Sequence, residues 1–185
     1  MKSLTLVIFL IVPILTSAQG VFTNQTNTAL QKVIADYSVS FRNIKGPIVS
    51  QGAQTTDYSS KVQIPGSISS IITQYNSSSK DVYSWKCVLM QSEDFDVISK
   101  KYKELHNQIG NSIIKIDGAK PFILNGNYEI PTDEKKFNTS TFYLLPSTGE
   151  MRNLKVELNL EFYVTEWKIE LLVYDQEDQA HIVKD

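Results

Sequence analysis

Two stretches near the C-terminus place apolar residues on alternate positions, and the parity of the alternation changes between them. Leu154, Val156, Leu158, Leu160, Phe162 and Val164 are even; Trp167, Ile169, Leu171 and Val173 are odd. A period of two is that of a strand with one buried face. The flip across Thr165-Glu166 is what a two-residue hairpin loop requires, because the residues flanking such a loop face each other on one side of the sheet. The pattern predicts strands over 152–164 and 167–175, with Val164 opposite Trp167, Phe162 opposite Ile169 and Leu160 opposite Leu171. Two features pull the other way. Thr-Glu is not a favoured turn pair, and Glu161 falls opposite Glu170, a repulsive placement. One long strand with a bulge or bend is the alternative.

The rest of the chain fits around this hairpin. Leu30, Val33, Ile34, Tyr37, Phe41 and Ile44 recur at helical spacing after Thr26 and Asn27, which can cap a helix, and before Gly46-Pro47, which stops one. This predicts a helix over 28–44. Residues 46–57 read as a loop. Tyr58, Ser60, Val62 and Ile64 alternate as a strand that Pro65-Gly66 ends, and further strands are expected at 70–75 and 82–91, the latter with Tyr83, Trp85, Cys87 and Leu89 on one face. A second helix is predicted over 93–109, with acids in its first turn where the helix dipole favours them, and with Phe95, Ile98, Tyr102, Leu105 and Ile109 as its apolar stripe. Turn signals separate strands at 113–117, 121–130 and 140–146. The expected fold is α+β: a mainly antiparallel, curved sheet of about seven to eight strands with two helices on one face, in the order α-βββ-α-βββββ.

At the other end, Lys2, an apolar run from Leu4 to Leu15 broken by Thr5 and Pro13, and the small residues Thr16, Ser17 and Ala18 have the three parts of a secretory signal peptide cut before Gln19. The run is shorter than the ~20 residues a membrane span takes. The expected organisation is a signal peptide at 1–18, a flexible lead-in at 19–27, one domain at 28–176 and a polar tail at 177–185. Export to the periplasm or the medium follows, with no transmembrane segment once the signal is removed. The single cysteine, Cys87, leaves no internal disulfide, which suits a bacterial envelope protein better than a small disulfide-stapled animal domain. Three N-x-S/T sequons, at Asn24, Asn76 and Asn138, matter only in a glycosylating host.

Composition narrows function by exclusion. The formal net charge is −2 with the signs interspersed. That offers no basic stripe for nucleic acid or an anionic membrane surface. No phosphate loop, nucleophile elbow or zinc-spaced Cys/His set is present, so no catalytic, cofactor-binding or metal-binding residue is assigned. His106 reads as an exposed or edge histidine whose only fellow, His181, lies in the tail. Cys87 reads as a buried thiol, and Glu93, Asp94 and Asp96 as helix-start acids. The expected function is non-catalytic binding of a protein, a peptide or a small apolar ligand. A hydrolase assembled from residues distant in sequence, and an accessory subunit of an envelope assembly, are the alternatives. The candidate surface is the outer face of the C-terminal hairpin, where Tyr163, Leu172 and Tyr174 interrupt an otherwise polar set.

Overall fold

The computed structural model describes residues 25–76, 81–110 and 112–176. The expected signal peptide, most of the expected lead-in, the expected tail and His181 lie outside the described residues. The rest is α+β: two helices and one antiparallel sheet of nine strands in the order β1-β2-β3-β4-β9-β8-β7-β6-β5. The strands are β1 Lys45–Gln51, β2 Thr55–Ser60, β3 Ser69–Tyr75, β4 Val82–Ser92, β5 Ile113–Ile114, β6 Phe122–Gly126, β7 Phe137–Leu145, β8 Leu154–Tyr163 and β9 Glu166–Asp175. The helices are α1 Gln25–Ala35 and α2 Phe95–Gly110. The chain order is therefore α-ββββ-α-βββββ, one strand more than expected before α2.

The extra strand and a shortened first helix share one cause. The apolar stripe continues through Phe41 and Ile44, and both are buried, but the helix stops at Ala35. The Asp36 carboxylate accepts from the backbone N–H of Asn43 (2.9 Å) and Ile44 (3.1 Å) and from the Asn43 side chain (2.6 Å). A short polar side chain that captures backbone donors in this way competes with helix propagation. The backbone then turns through left-handed conformations at Ser40 and Phe41 (φ 57° and 56°). The chain leaves this turn directly into β1, at the sheet edge, where Pro47 needs no ladder partner. Gly46 is required there: a Cβ would lie 2.9 Å from the Ser59 carbonyl oxygen. At the other end, residues 25–27 form the first turn of α1, and Thr26 lies buried within it, donating to the Gln108 side chain of α2 (3.1 Å). Beyond β2, Val62 and Ile64 still pack inward, but from a loop and not from a strand.

α2 starts where its acids predict, and its cap is Asp94: the carboxylate accepts from the N–H of Asp96 (2.9 Å) and Val97 (3.1 Å). Ile98, Tyr102, Leu105 and Ile109 are buried against the sheet. The inner sheet face answers with Trp85 and Cys87 of β4, the odd apolar set of β9, the even set of β8 through Leu160, and Phe142 and Leu144 of β7. The Trp85 indole N–H donates to the Ser60 hydroxyl (3.0 Å), so the largest buried side chain keeps its polar atom satisfied.

The C-terminal hairpin forms with its faces as predicted but slides two residues in register. Phe162 pairs with Trp167, Leu160 with Ile169 and Leu158 with Leu171, and the loop is Val164-Thr165. In this register Glu161 faces Lys168, not Glu170, and the pair makes a 2.8 Å ion contact. Trp167 lies against Phe162 (5.3 Å between ring centroids) and Phe95 (4.9 Å). Opposite-charge pairing and aromatic contact thus outweigh turn preference, and Val164 is left at the tip with φ 59°, a conformation that a β-branched residue adopts only under strain.

Candidate functional site

Both helices pack on the inner side of the sheet, so the outer face must be read strand by strand. Leu172 sits between Lys86 of β4 and Glu157 of β8; Tyr174 sits between Ser84 and Lys155. Both side chains are half-buried. The Tyr174 hydroxyl donates to Glu157 Oε1 at 2.6 Å. Burial, reinforced by that carboxylate, holds the phenol well above its ordinary pKa. Tyr163 is 62% exposed and lies at the far end of the hairpin, with Lys168 Nζ over its ring at 4.9 Å. Between the two groups stands a charged cluster in which Lys168 contacts both Glu161 and Glu170 (3.1 Å). Burial lowers the Lys168 pKa and the two carboxylates more than offset it, so it is raised. The three predicted residues therefore form two separate patches.

Each patch extends onto residues that sequence reasoning missed. Tyr174 faces Lys155, and Lys155 faces Tyr143, whose ring carries Lys155 Nζ at 4.0 Å. Beside Tyr143 runs a row formed by Leu145, Ile123 and Ile113, paired across β7, β6 and β5. These are 43%, 51% and 57% exposed. Each is adjacent in sequence to a buried apolar residue (Leu144, Leu124, Ile114), so the legible signal was a pair of neighbouring apolar residues where strict alternation expects one. At the hairpin tip, Phe137, Phe162 and Val164 join Tyr163 as exposed apolars.

His106 is buried, not at an exposed edge. Its ring lies between Tyr128 (4.9 Å) and Phe142 (5.0 Å), and neither ring nitrogen has a hydrogen-bond partner among the described residues. The sequence placed it one side chain off the apolar stripe; the loop after β6 folds Tyr128 over it. Next to it, the Tyr102 hydroxyl shares a 2.8 Å hydrogen bond with Ser140 and accepts from Asn138 Nδ2 (3.2 Å), which also donates to the Glu129 carbonyl (3.2 Å). Asn138 Oδ1 is buried without a hydrogen-bond partner among the described residues. Burial raises the Tyr102 and Tyr128 phenols; for Tyr102 the Ser140 and Asn138 hydrogen bonds oppose it. Burial also closes the Asn138 sequon to a glycan, whereas Asn76 is exposed at the end of β3; Asn24 lies outside the described residues.

Just outside this cluster is an open cleft of about 380 Å³ between the end of β6 and β7. One wall is Asn125, Gly126, Asn127, Tyr128 and Glu129; the other is Thr139, Thr141 and Tyr143. Gly126 permits the close approach, since a Cβ would come within 2.7 Å of the Thr141 carbonyl oxygen. Among the lining residues the one charge is Glu129, engaged by Lys135 at 2.6 Å.

Cys87 is fully buried with the Ser70 hydroxyl 3.1 Å from its sulfur. Asp94 and Asp96 serve the start of α2. Among the described residues no three His, Cys, Asp or Glu side chains come together as a metal site, and no helix is long and apolar enough to cross a membrane. No family model, curated protein or solved structure matches this chain.

Proposed function

We propose that this is an exported, non-catalytic protein that docks another protein on the outer face of its sheet. The observation that carries the reading is the run of Ile113, Ile123, Leu145 and Tyr143, continuing to Tyr174 and Leu172, on the face opposite the helices. Its shape favours a protein over a small apolar ligand, because small-ligand sites are concave and this face is a sheet surface. Its chemistry agrees: an apolar centre flanked by Lys86, Lys155 and Glu157 is the arrangement of a non-obligate protein interface. Export rests on residues 1–18, and a partner in the bacterial envelope, with this chain as one of its subunits, follows from both. The hydrolase alternative has less support, since the cleft lining holds one engaged carboxylate and not His106.

Two measurements test the proposal. N-terminal sequencing of the product released by its own host should begin at Gln19; a membrane-bound product retaining residues 1–18 rejects export. A photo-crosslinking residue at Ile123 or Leu145 should give one adduct of defined mass in the host envelope, abolished by Leu172→Ser combined with Tyr143→Ser, while the same probe at Lys100 or Lys103 of α2 gives none. Equal adducts from both faces, or an adduct with a second copy of this chain alone, rejects the docking surface for another protein.

A further inference from the structure

We infer that the cleft between the end of β6 and β7 is a binding site for a neutral, polyhydroxylated ring, that is, a sugar. The cleft shares Tyr143 with the docking face, but its remaining lining carries the inference, which does not require a protein partner. Its volume of about 380 Å³ lies at the small end of the range for ligand sites, roughly 300–1,000 Å³, and suits a mono- or disaccharide. The lining selects the chemistry. Asn125, Asn127, Thr139 and Thr141 offer amides and hydroxyls, groups that both donate and accept, as a sugar hydroxyl does. The lining contains no Lys, Arg or His, and its one carboxylate is neutralised by Lys135, so an ionic ligand finds no complementary charge there. The phenol of Tyr128 supplies a flat apolar surface for the C–H face of a sugar ring. The Tyr143 ring, also in the lining, carries Lys155 on one face, as the Tyr128 ring carries His106, so each has one face engaged and the other to offer.

A second observation points the same way. Near Tyr128 and Glu129 lie His106 and Asn138, 7% and 1% exposed, with both imidazole nitrogens and Asn138 Oδ1 lacking hydrogen-bond partners among the described residues. Buried polar atoms without partners are uncommon and costly. Asn138 is tied to the cleft rim through the Glu129 carbonyl, and His106 packs against the ring of Tyr128, a lining residue. Hydrogen-bonding capacity is thus unspent beside the cleft, which favours a polar ligand there over an apolar one.

The test is calorimetric titration of the full secreted chain with glucose, galactose, N-acetylglucosamine, maltose and cellobiose, with glucuronic acid and glucosamine as charged counterparts. At least one neutral sugar should bind with a dissociation constant of about 1 mM or tighter, and its charged counterparts more weakly. A disaccharide that binds more tightly than its monosaccharide identifies a glycan chain as the source; equal binding identifies the free sugar. Asn127→Ala, at an exposed position, should weaken binding about 3- to 10-fold, and the His106 ring resonances should shift on saturation. Leu172→Ser, on the docking face, should change nothing. If no neutral sugar binds saturably, if the charged counterparts bind as well, or if Asn127→Ala and the His106 resonances are both indifferent, the site is not a sugar site.

Discussion

Replacing Val164 at the hairpin tip should stabilise the protein, and the sign of the effect tests the register of the C-terminal hairpin. Val164 has φ 59° and is 76% exposed. Holding an L-residue in the left-handed region costs about 1–2 kcal/mol, and the cost is greatest for a β-branched side chain. Asn and Gly relieve most of it. The opposing effect is the removal of apolar burial. Full burial of a valine is worth about 1.5–3 kcal/mol, and roughly a quarter of this one is buried, so its removal costs about 0.5 kcal/mol. Val164→Asn should therefore gain about 0.5–1.5 kcal/mol. Val164→Gly should gain less, because glycine adds about 0.5–1 kcal/mol of unfolded-state entropy. Urea unfolding followed by tryptophan fluorescence measures this directly, and each kcal/mol also raises Tm by about 2–4 °C. With the turn at Thr165-Glu166, Val164 would lie opposite Trp167 on the core face, and Asn there would bury an amide at a cost of about 1–3 kcal/mol. A destabilised Val164→Asn variant with normal slope in urea refutes the Val164-Thr165 turn.

Three further outcomes follow from the same geometry. Cys87 should resist aromatic disulfide reagents in the native state and react at once in denaturant, because the sulfur is fully buried beneath α2; rapid native labelling would contradict the packing of β4. Lys168→Met should cost about 1–3 kcal/mol in urea unfolding at pH 7, since it leaves Glu170, an almost buried carboxylate, with Lys86 at 3.9 Å as its remaining cation; a neutral result would show that water reaches Glu170. The raised Tyr174 phenol favours its protonated form in the folded state, so the stability it contributes is intact below the unfolded tyrosine value near ~10 and is lost as pH rises above it. Tyr174→Phe should flatten the decline of urea stability between about pH 9.5 and 11.5; an unchanged decline assigns it to other groups.

What the sequence disclosed, and what it hid, divides by whether a pattern was local and regular. The two-residue alternation of 154–173 defined both strands, both faces and a two-residue loop, because parity survives a slip of two positions. It could not choose between registers that differ by two, which depended on Glu161 finding Lys168 and Trp167 finding Phe162. α2 was legible because stripe, acids and cap coincide. β1 was not: it is an edge strand with register shifts on either side of Ile48, and such strands carry no period. The first helix was over-extended because Tyr37, Phe41 and Ile44 keep helical spacing although Asp36 has already captured the backbone. For the candidate surfaces, the sequence found Leu172 and Tyr174 as departures from a polar face. It missed Ile113, Ile123 and Leu145, and the burial of His106 was invisible because Tyr128 reaches it from across a loop.

The strand order has a consequence for how the chain reaches this structure. It runs forward through β1 to β4 and backward through β9 to β5, so each flank is a meander of sequence neighbours joined by turns or short connections. Among the described strands, the β4–β9 ladder alone joins segments separated by a helix and four other strands. Two locally assembled ladders must therefore find each other, with α2 as the tether, and non-local pairing of this kind is slow to form. Contacts across the join, such as Trp85 with Val173 and Cys87 with Leu171, set the rate of folding if they form in the transition state, while substitutions in β1 and β2 chiefly hasten unfolding. Until β9, the last strand described, is made, the edge of β4 stays open to the wrong partner. That edge is open from the completion of β4 at Ser92 to the arrival of β9 at Glu166, and the interval before closure is when the chain is most exposed to aggregation.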